Sequence, residues 1–394
     1  MISNFEAEIR TLISSIYLGE IIDEKCSSFS IIILPQKKIA FNIIPVLNVE
    51  DENIFANLSN AYQLRGIRLI HLWEDFWMQK RDIMESRIKL TLGKFARIHA
   101  RQAIAQRINA PIADMFLNSN HLYGSPTAKY KYGLYYKNIL VAVASFSRIR
   151  KYWREGRLFR SAELVRFANL NGHSVAGGLS KLISCFIREQ YPDDIMSYAD
   201  RDWSNGESYE KIGFQKIEYT LPQRFCIHPN DLKRYYPHRY PDIFTTVLFK
   251  NTSNEKIAAY YLSKGYISTF NAGNIKYLLF VDKKKMTMDD FILFLQKECC
   301  AKNISKNTLI EDDLGITGLD GDGLLENIEK KFGISFPKDS TEFRKLFGLK
   351  EDEYLFHSEG NSWFWKKTWC VNEKVIKLTV EQLYNVVISL IKNN

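Results

Sequence analysis

The sequence predicts a mixed α/β (α+β) protein with more than one domain. Two observations carry that expectation. Strand-like and helix-like hydrophobic periods alternate along most of the chain, and 394 residues are more than one core usually organises. The composition, 46% hydrophobic and 25% charged, is that of a globular chain and excludes a mainly disordered or collagen-like one.

Taken in order, Phe5 to Tyr17 repeat apolar residues at helical spacing, and FSIIILPQKKIAFNII reads as a β-hairpin around a Pro-Gln-Lys-Lys turn. IFANLSNAYQLRG follows as a helix ending at a glycine suited to a C-cap, then IRLIHLWEDFW as an apolar strand. Residues 78 to 110 read as one long charged helical stretch. A second strand-rich region opens at GLYYKNILVAVASFSRI and continues through RSAELVRFANL. It turns at NGHSVAGG and enters the helix LSKLISCFIREQ, after which come the strand DIMSYA, a short helix and the strand FQKIEYTL. KKKMTMDD marks a boundary before a third region that opens as a helix. The expected domains are 1–90, 91–282 and 286–394.

The net charge of +9 favours an anionic partner, nucleic acid first. Six cysteines without CxxC spacing or disulfide density predict a reduced, cytoplasmic compartment. The first twenty residues lack a basic segment followed by an apolar core, so no signal peptide is expected, and no apolar run is long enough to span a membrane. Seven scattered histidines predict no metal site.

Three stretches carry candidate chemistry. The first is the loop Val175, Ala176, Gly177, Gly178, Leu179, Ser180 and Lys181, between a strand and a helix. Such a layout either offers backbone N–H groups to a phosphate or simply turns the chain tightly. The second is Asp200-Arg201-Asp202-Trp203, at a strand end. There Asp200 or Asp202 acts as a base, or the cluster serves as a helix cap and loop brace. The third is the run Arg148, Arg150, Lys151, Arg154, Arg157 and Arg160, six basic residues in thirteen positions with Tyr152 and Trp153 interleaved. It suits phosphate contacts and base stacking, or is a solvated loop. The basic residues between Lys80 and Arg107 offer a further phosphate-binding surface or a solvated helix face.

ELVRFANLNGHSVAGGLSKLI and DIMSYADRDWSNGESYEKIGF together resemble the middle and end of the GNAT acyltransferase fold. In that family a strand leads into a glycine-rich loop and helix for acyl-CoA, and a later helix ends in Tyr-x-x-x-Gly-Phe, here Tyr209, Gly213 and Phe214. The resemblance implies acetyl-CoA or another acyl-CoA at Val175–Lys181 and Tyr209 as general acid on the departing thiolate. The loop departs from the family pattern in having adjacent glycines where Gly-x-Gly is usual.

A wider resemblance links FLNSNHLYGSP, YGLYYKNILVAVASFSR, VAGGLSKL and GYISTFNAGNIKY to phage homing-endonuclease-like proteins, in which a Vsr-type nuclease domain precedes a GNAT-like module. It implies a degenerate restriction-endonuclease-like domain over 1–90. The metal-binding acids of that pattern are replaced by Ser28-Phe29-Ser30 and Phe41-Asn42-Ile43, while Glu74 and Trp77 match a later element. TLIEDDLGITGLDGDGLLENIEKKFGISFP resembles an acyl-carrier-protein-like helical domain with Gly318 in place of the attachment serine, implying a protein-interaction module.

Two functions follow. The preferred expectation is a nucleic-acid-binding protein whose nuclease chemistry is lost. The alternative is a GNAT-type N-acyltransferase acting on an unknown amine.

Overall fold

The computed structural model describes residues 4–26, 28–154, 157–236, 254–282, 286–357 and 374–393. Helix α1 (Asn4–Ile16) buries Phe5, Ile9 and Ile13, which the helical repeat places on one face. The strands β1 (Ile22–Cys26), β2 (Phe29–Leu34) and β3 (Ile39–Ile44) form an antiparallel meander, and Lys38 at φ 53° turns the chain into β3. Helix α2 (Ile54–Leu64) then crosses over to β4 (Arg68–Trp73), parallel to β3. All six residues of β3 are buried, as expected of a strand covered on both faces.

Two expectations fail here. The apolar segment after Leu72 does not stay extended: α3 (Glu74–Gln79) begins directly after Trp73. The long helix expected over 78–110 ends early. Helix α4 (Arg81–Thr91) stops ahead of Gly93, whose φ of +88° no helical residue adopts. Beyond it come β5 (Ala96–His99) and β6 (Ile104–Arg107), drawn into strands by partners distant in sequence. The basic residues from Lys80 to Arg107 therefore share no helix face. Arg81 pairs with Glu8 and Glu85, and Lys89 with Glu85.

Helix α5 (Ala110–Asn120) is capped by Asn109, whose side chain accepts from the Ile112 N–H at 3.1 Å. The strands β7 (Tyr130–Tyr136) and β8 (Ile139–Phe146) meet in a two-residue turn, with Lys137 and Asn138 at φ 48° and 64°. Next come β9 (Arg150–Arg154), β10 (Arg157–Asn169), β11 (His173–Ala176), α6 (Gly178–Gln190), β12 (Asp194–Asp200), α7 (Glu207–Glu210) and β13 (Gln215–Tyr219). The chain continues with β14 (Arg224–Ile227), β15 (Arg234–Tyr235), α8 (Asn254–Ser263), β16 (Ile267–Phe270) and β17 (Asn274–Phe280). The large sheet runs β13-β17-β12-β10-β8-β7-β6, with β9 paired to β10. The C-terminal elements are α9 (Met288–Glu298), α10 (Gly318–Phe332), α11 (Ser340–Phe347), the short strands β18 (Glu353–Tyr354) and β19 (Lys374–Val375), and α12 (Val380–Asn393).

The chain divides into two compact units. One comprises Met1–Arg148, Ala162–Cys185 and Ile195–Leu279. Its main core runs from α1 and β2–β4 into Trp203, Phe225, Ile227 and Phe270, so residues 1–90 share an interior with part of 91–282, while Ala113, Phe116, Leu117, Val143 and Ala168 form a separate core. Inside the main core Asp75 holds Arg234 in a two-pronged ion pair, one contact of 2.8 Å, with the guanidinium packed against Trp73, Phe76 and Phe225. Glu74, expected from the nuclease pattern, accepts the Val46 N–H at 2.8 Å, and Trp77 donates to Glu8 at 2.8 Å. Both are tied into the core.

The other unit comprises Ile149–Ser161, Phe186–Asp194 and Phe280–Asn394. Its core gathers Tyr191, Phe291, Phe294, Ile328, Phe332 and Val387 around α9, α10 and α12. Thr287 and Asp290 cap α9 reciprocally, and Gly333 ends α10 in the left-handed region. The tryptophan-rich segment around 361–369 lies outside the described residues.

Candidate active site

The Gly-Gly stretch is the junction between β11 and α6. Gly177 takes φ +77°, a conformation that side chains disfavour, and so redirects the chain into the helix. Gly178 begins α6 in a confined place, where a Cβ would lie 3.1 Å from Val175 Cγ1 and 3.3 Å from Leu134 Cδ1. The N–H groups of Gly178, Leu179 and Ser180 belong to the first turn and have no partner within the helix. They form the positive end of the α6 dipole.

The Tyr-x-x-x-Gly-Phe element is a helix stop. The Gly213 N–H donates to Glu210 O at 3.0 Å and the Phe214 N–H to Tyr209 O at 3.1 Å, with Gly213 at φ +93° between them. These are the paired bonds of a Schellman ending, and the Phe214 ring against Tyr209 supplies its apolar contact at 5.3 Å. On its other side the Tyr209 ring stacks on Tyr277 at 5.3 Å and 12°. Tyr277 in turn donates to Glu210 at 2.9 Å, and its hydroxyl occupies the space that a side chain at Gly206 would need. Tyr209 is thus fixed in place by rings on two sides.

These two local structures meet. Val175, Gly177, Gly178, Leu179 and Ser180 share a cleft of about 270 Å³ with Phe167, Ser208, Tyr209 and Ile212. The Tyr209 hydroxyl lies 3.2 Å from Ser197 Oγ, which also donates to Leu164 O at 3.1 Å. Ser197 has one proton, so while it serves Leu164 it accepts from Tyr209. Burial pushes the Tyr209 phenol up, while the Ser197 contact and the charge of Arg166 pull it back down. Sequence reasoning misses Phe167, Ser197 and Ser208 as site residues. Their signal, a strand neighbour and a helix neighbour of chosen residues, emerges only once the strands are aligned.

Other expected site residues lie elsewhere. Ala176 pairs with His99 in the parallel β5–β11 ladder. Lys181 directs its ammonium to Ala100 O at 3.0 Å and Ala103 O at 2.6 Å, acting as a strut and not as a phosphate contact.

The acidic cluster splits into two roles. Asp202 is buried, and its oxygens take the Trp73 indole N–H at 2.9 Å and the Ala272 N–H at 2.9 Å, while its carbonyl accepts from the His71 N–H at 2.8 Å. It is a brace between β4 and the β16–β17 connection. Arg201 binds Asn60 at 2.7 Å and packs on Tyr219. Asp200 is partly exposed. It accepts from Tyr123 Oη at 3.1 Å and from the Asp202 N–H at 2.9 Å. Burial and the neighbouring Asp202 raise its carboxyl to about 6. Neither acid lines the cleft.

The basic run also divides. Arg150 and Lys151 are exposed on β9 beside Trp153, itself 75% exposed, and Arg148 is exposed just before the strand. Arg160 is buried and donates to Tyr191 O at 3.1 Å, Gln190 O at 2.7 Å and Lys330 O, so it is no phosphate ligand. The side chains of Arg154 and Arg157 lie outside the described residues. Among the described residues no group of histidine, cysteine and acidic side chains could hold a metal, and no helix is long and apolar enough to cross a membrane.

No family model matches the chain, and no curated protein matches it. Several solved structures are similar to it at low identity. One is Arabidopsis thaliana Naa50 in complex with the bisubstrate analogue CoA-Ac-MVNAL, at 13% identity and TM-score 0.24, covering 30% of this chain and 87% of that one. Another is a GNAT family acetyltransferase from Elizabethkingia anophelis with acetyl-CoA bound, at 12% identity and TM-score 0.25, covering 46% and 99%. A third is described as histone acetyltransferase HPA2 and related acetyltransferase from Corynebacterium glutamicum, at 11% identity and TM-score 0.26, covering 47% and 99%.

Proposed function

We propose that the unit containing the start of α6 and all of α7 is an N-acyltransferase that takes its acyl group from acyl-CoA. One observation carries this reading: the first-turn residues of α6 and the hydroxyl-bearing ring of Tyr209 line the same cleft. A diphosphate fits the first feature, since a helix N-terminus approached by glycine backbone stabilises negative charge without a cation. A thiolate leaving group needs the second.

In the transfer the acceptor nitrogen bonds to the acyl carbonyl carbon, and the C–S bond breaks with its electron pair leaving on sulfur. Tyr209 gives the sulfur its hydroxyl proton and regains one from solvent, while Asp200, which stands outside the cleft, takes the proton shed by nitrogen by way of water and releases it to solvent. Ser197 is placed to donate to the phenolate that forms for that moment. Asp202 takes no part in this scheme, because both its oxygens are held by buried donors.

Isothermal titration of the full chain with acetyl-CoA tests the reading. Micromolar binding is expected, lost in Gly178→Glu, where the new side chain fills the loop and repels phosphate. Tyr209→Phe should bind as the parent does and turn over roughly a hundredfold more slowly. Wild-type binding in Gly178→Glu would remove this site.

A second reading concerns the other unit, where β9 displays Arg150 and Lys151 next to the exposed Trp153. Such a hairpin suits single-stranded nucleic acid, with cations on the backbone and the indole on a base. Arg150→Ala with Trp153→Ala should weaken oligonucleotide binding and flatten its salt dependence. Unchanged binding and slope would remove the hairpin from consideration. The C-terminal helices are proposed only as a protein-interaction module.

A further inference from the structure

Outside the cleft, side chains from four parts of the same unit gather at the end of β12. Asp200 accepts from Tyr123, and the Arg166 guanidinium lies 5.5 Å from the centre of the Tyr123 ring. Arg87 of α4 lies 4.2 Å over the Trp203 ring, and His121 is 6.0 Å from Tyr123, ring to ring. Arg87, His121, Tyr123, Arg166 and Asp200 are each half-buried.

The charges do not balance. Among the described residues neither Arg87 nor Arg166 has a carboxylate within ion-pair distance. Arg166 spends one N–H on Val165 O at 2.8 Å, while its buried Nε has no acceptor. Burial lowers the pKa of both arginines, and burial together with their joint charge holds His121 neutral. Buried donors are nearly always satisfied in folded proteins, so the unsatisfied Arg166 Nε points to a further acceptor. Asp200 and Glu163 act on Arg166 from beyond ion-pair distance, so neither arginine has a carboxylate in direct contact.

Strand β10 lies between this cluster and the cleft. Arg166 and Phe167 are consecutive on β10 and therefore face opposite sides of the sheet. Phe167 lines the cleft, and the charge of Arg166 pulls the Tyr209 phenol down.

We propose that this cluster is the acceptor site, and that the acceptor is an amine bearing a carboxylate, of the amino-acid class. Its carboxylate binds Arg87 and Arg166, and its nitrogen faces Asp200. The proposal rests on the acyltransferase reading for its chemistry but not for its binding, which allows the two to fail separately.

The test uses the full chain with three probes: acetyl-CoA, the natural L-amino acids with L-ornithine, and amines that lack the carboxylate, such as phenethylamine against L-phenylalanine and putrescine against L-ornithine. Binding is read by calorimetry and thermal shift, with and without CoA, and turnover by thiol release. At least one amino acid should bind, and its decarboxylated partner should bind roughly tenfold to a hundredfold more weakly. Arg166→Gln and Arg87→Gln should each lower amino-acid affinity by a similar factor while leaving CoA affinity as in the parent. Arg166→Lys, which keeps the charge, should recover part of it. Amines bound as well as amino acids, or amino-acid affinity unchanged in both glutamine variants, would overturn the proposal. So would CoA binding with no amino acid bound. Amino-acid binding without CoA binding would uphold this site while refuting the acyl donor.

Discussion

Asp202→Ala separates brace from base at the acidic cluster. The carboxylate holds two donors, the Trp73 indole and the Ala272 amide, each at 2.9 Å, and all three residues are at most 2% exposed. Alanine leaves both donors without a partner where water does not reach, at about 1–3 kcal/mol each. Against this stands the relief of a buried charge, since burial has already raised the Asp202 carboxyl. A net loss of roughly 2–4 kcal/mol remains, or about 4–15 °C in melting temperature for a unit of this size. The substitution Asp202→Asn keeps one acceptor oxygen and should lose about half as much. Urea unfolding followed by tryptophan fluorescence reads the effect directly, because Trp73 is one of the two partners. Transfer per folded molecule should stay within about twofold of the parent. A midpoint unchanged within about 0.5 kcal/mol, combined with lost turnover, would refute the brace and restore Asp202 as a chemical group.

Further outcomes follow from the same geometry. The Asp200 carboxyl is raised to about 6 from an ordinary value of 3.8, so folding binds its proton more tightly. Its contribution to stability is full below about pH 4 and is lost as pH rises through about 6. Asp200→Asn should therefore flatten the pH dependence of the melting temperature in that window, and parent turnover should climb through about pH 6 as the base becomes ionised. An Asp200→Asn profile parallel to the parent would contradict this. Asp75→Ala leaves Arg234 charged and buried among three rings, and should cost about 3–5 kcal/mol in urea unfolding, with Arg234→Met costing less. Lys181→Met removes the strut to Ala100 and Ala103. It should lower the melting temperature while leaving acetyl-CoA affinity within about threefold, and a much larger loss of affinity would return the lysine to the phosphate site.

How far the sequence could be read depended on the range of the interaction that decides each feature. The Gly-Gly turn and the Tyr-x-x-x-Gly-Phe stop are local: Gly177 and Gly213 are needed by their own backbone angles, and both occur where the spacing placed them. The stretch from 78 to 110 misled because local helical preference runs through it, while β6 owes its extended form to β7 and β5 to β11, some seventy-seven positions on for Ala96 and His173. Asp202 was ambiguous for the same reason, since Trp73 lies 129 residues away and no local pattern announces it. Arg160 stood in a run of surface-like cations, yet the carbonyls that absorb it come from Gln190, Tyr191 and Lys330. The cluster at the end of β12 is the extreme case. Arg87, Tyr123, Arg166 and Asp200 belong to separate elements and carry no shared motif, so only the fold can assemble them. Cofactor-facing loops leave local traces because they constrain backbone, whereas the groups that choose an acceptor constrain only side chains and can be drawn from anywhere in the chain. The proposed acceptor specificity is therefore least visible in the sequence, and the unsatisfied Arg166 Nε is the structural mark that makes it testable.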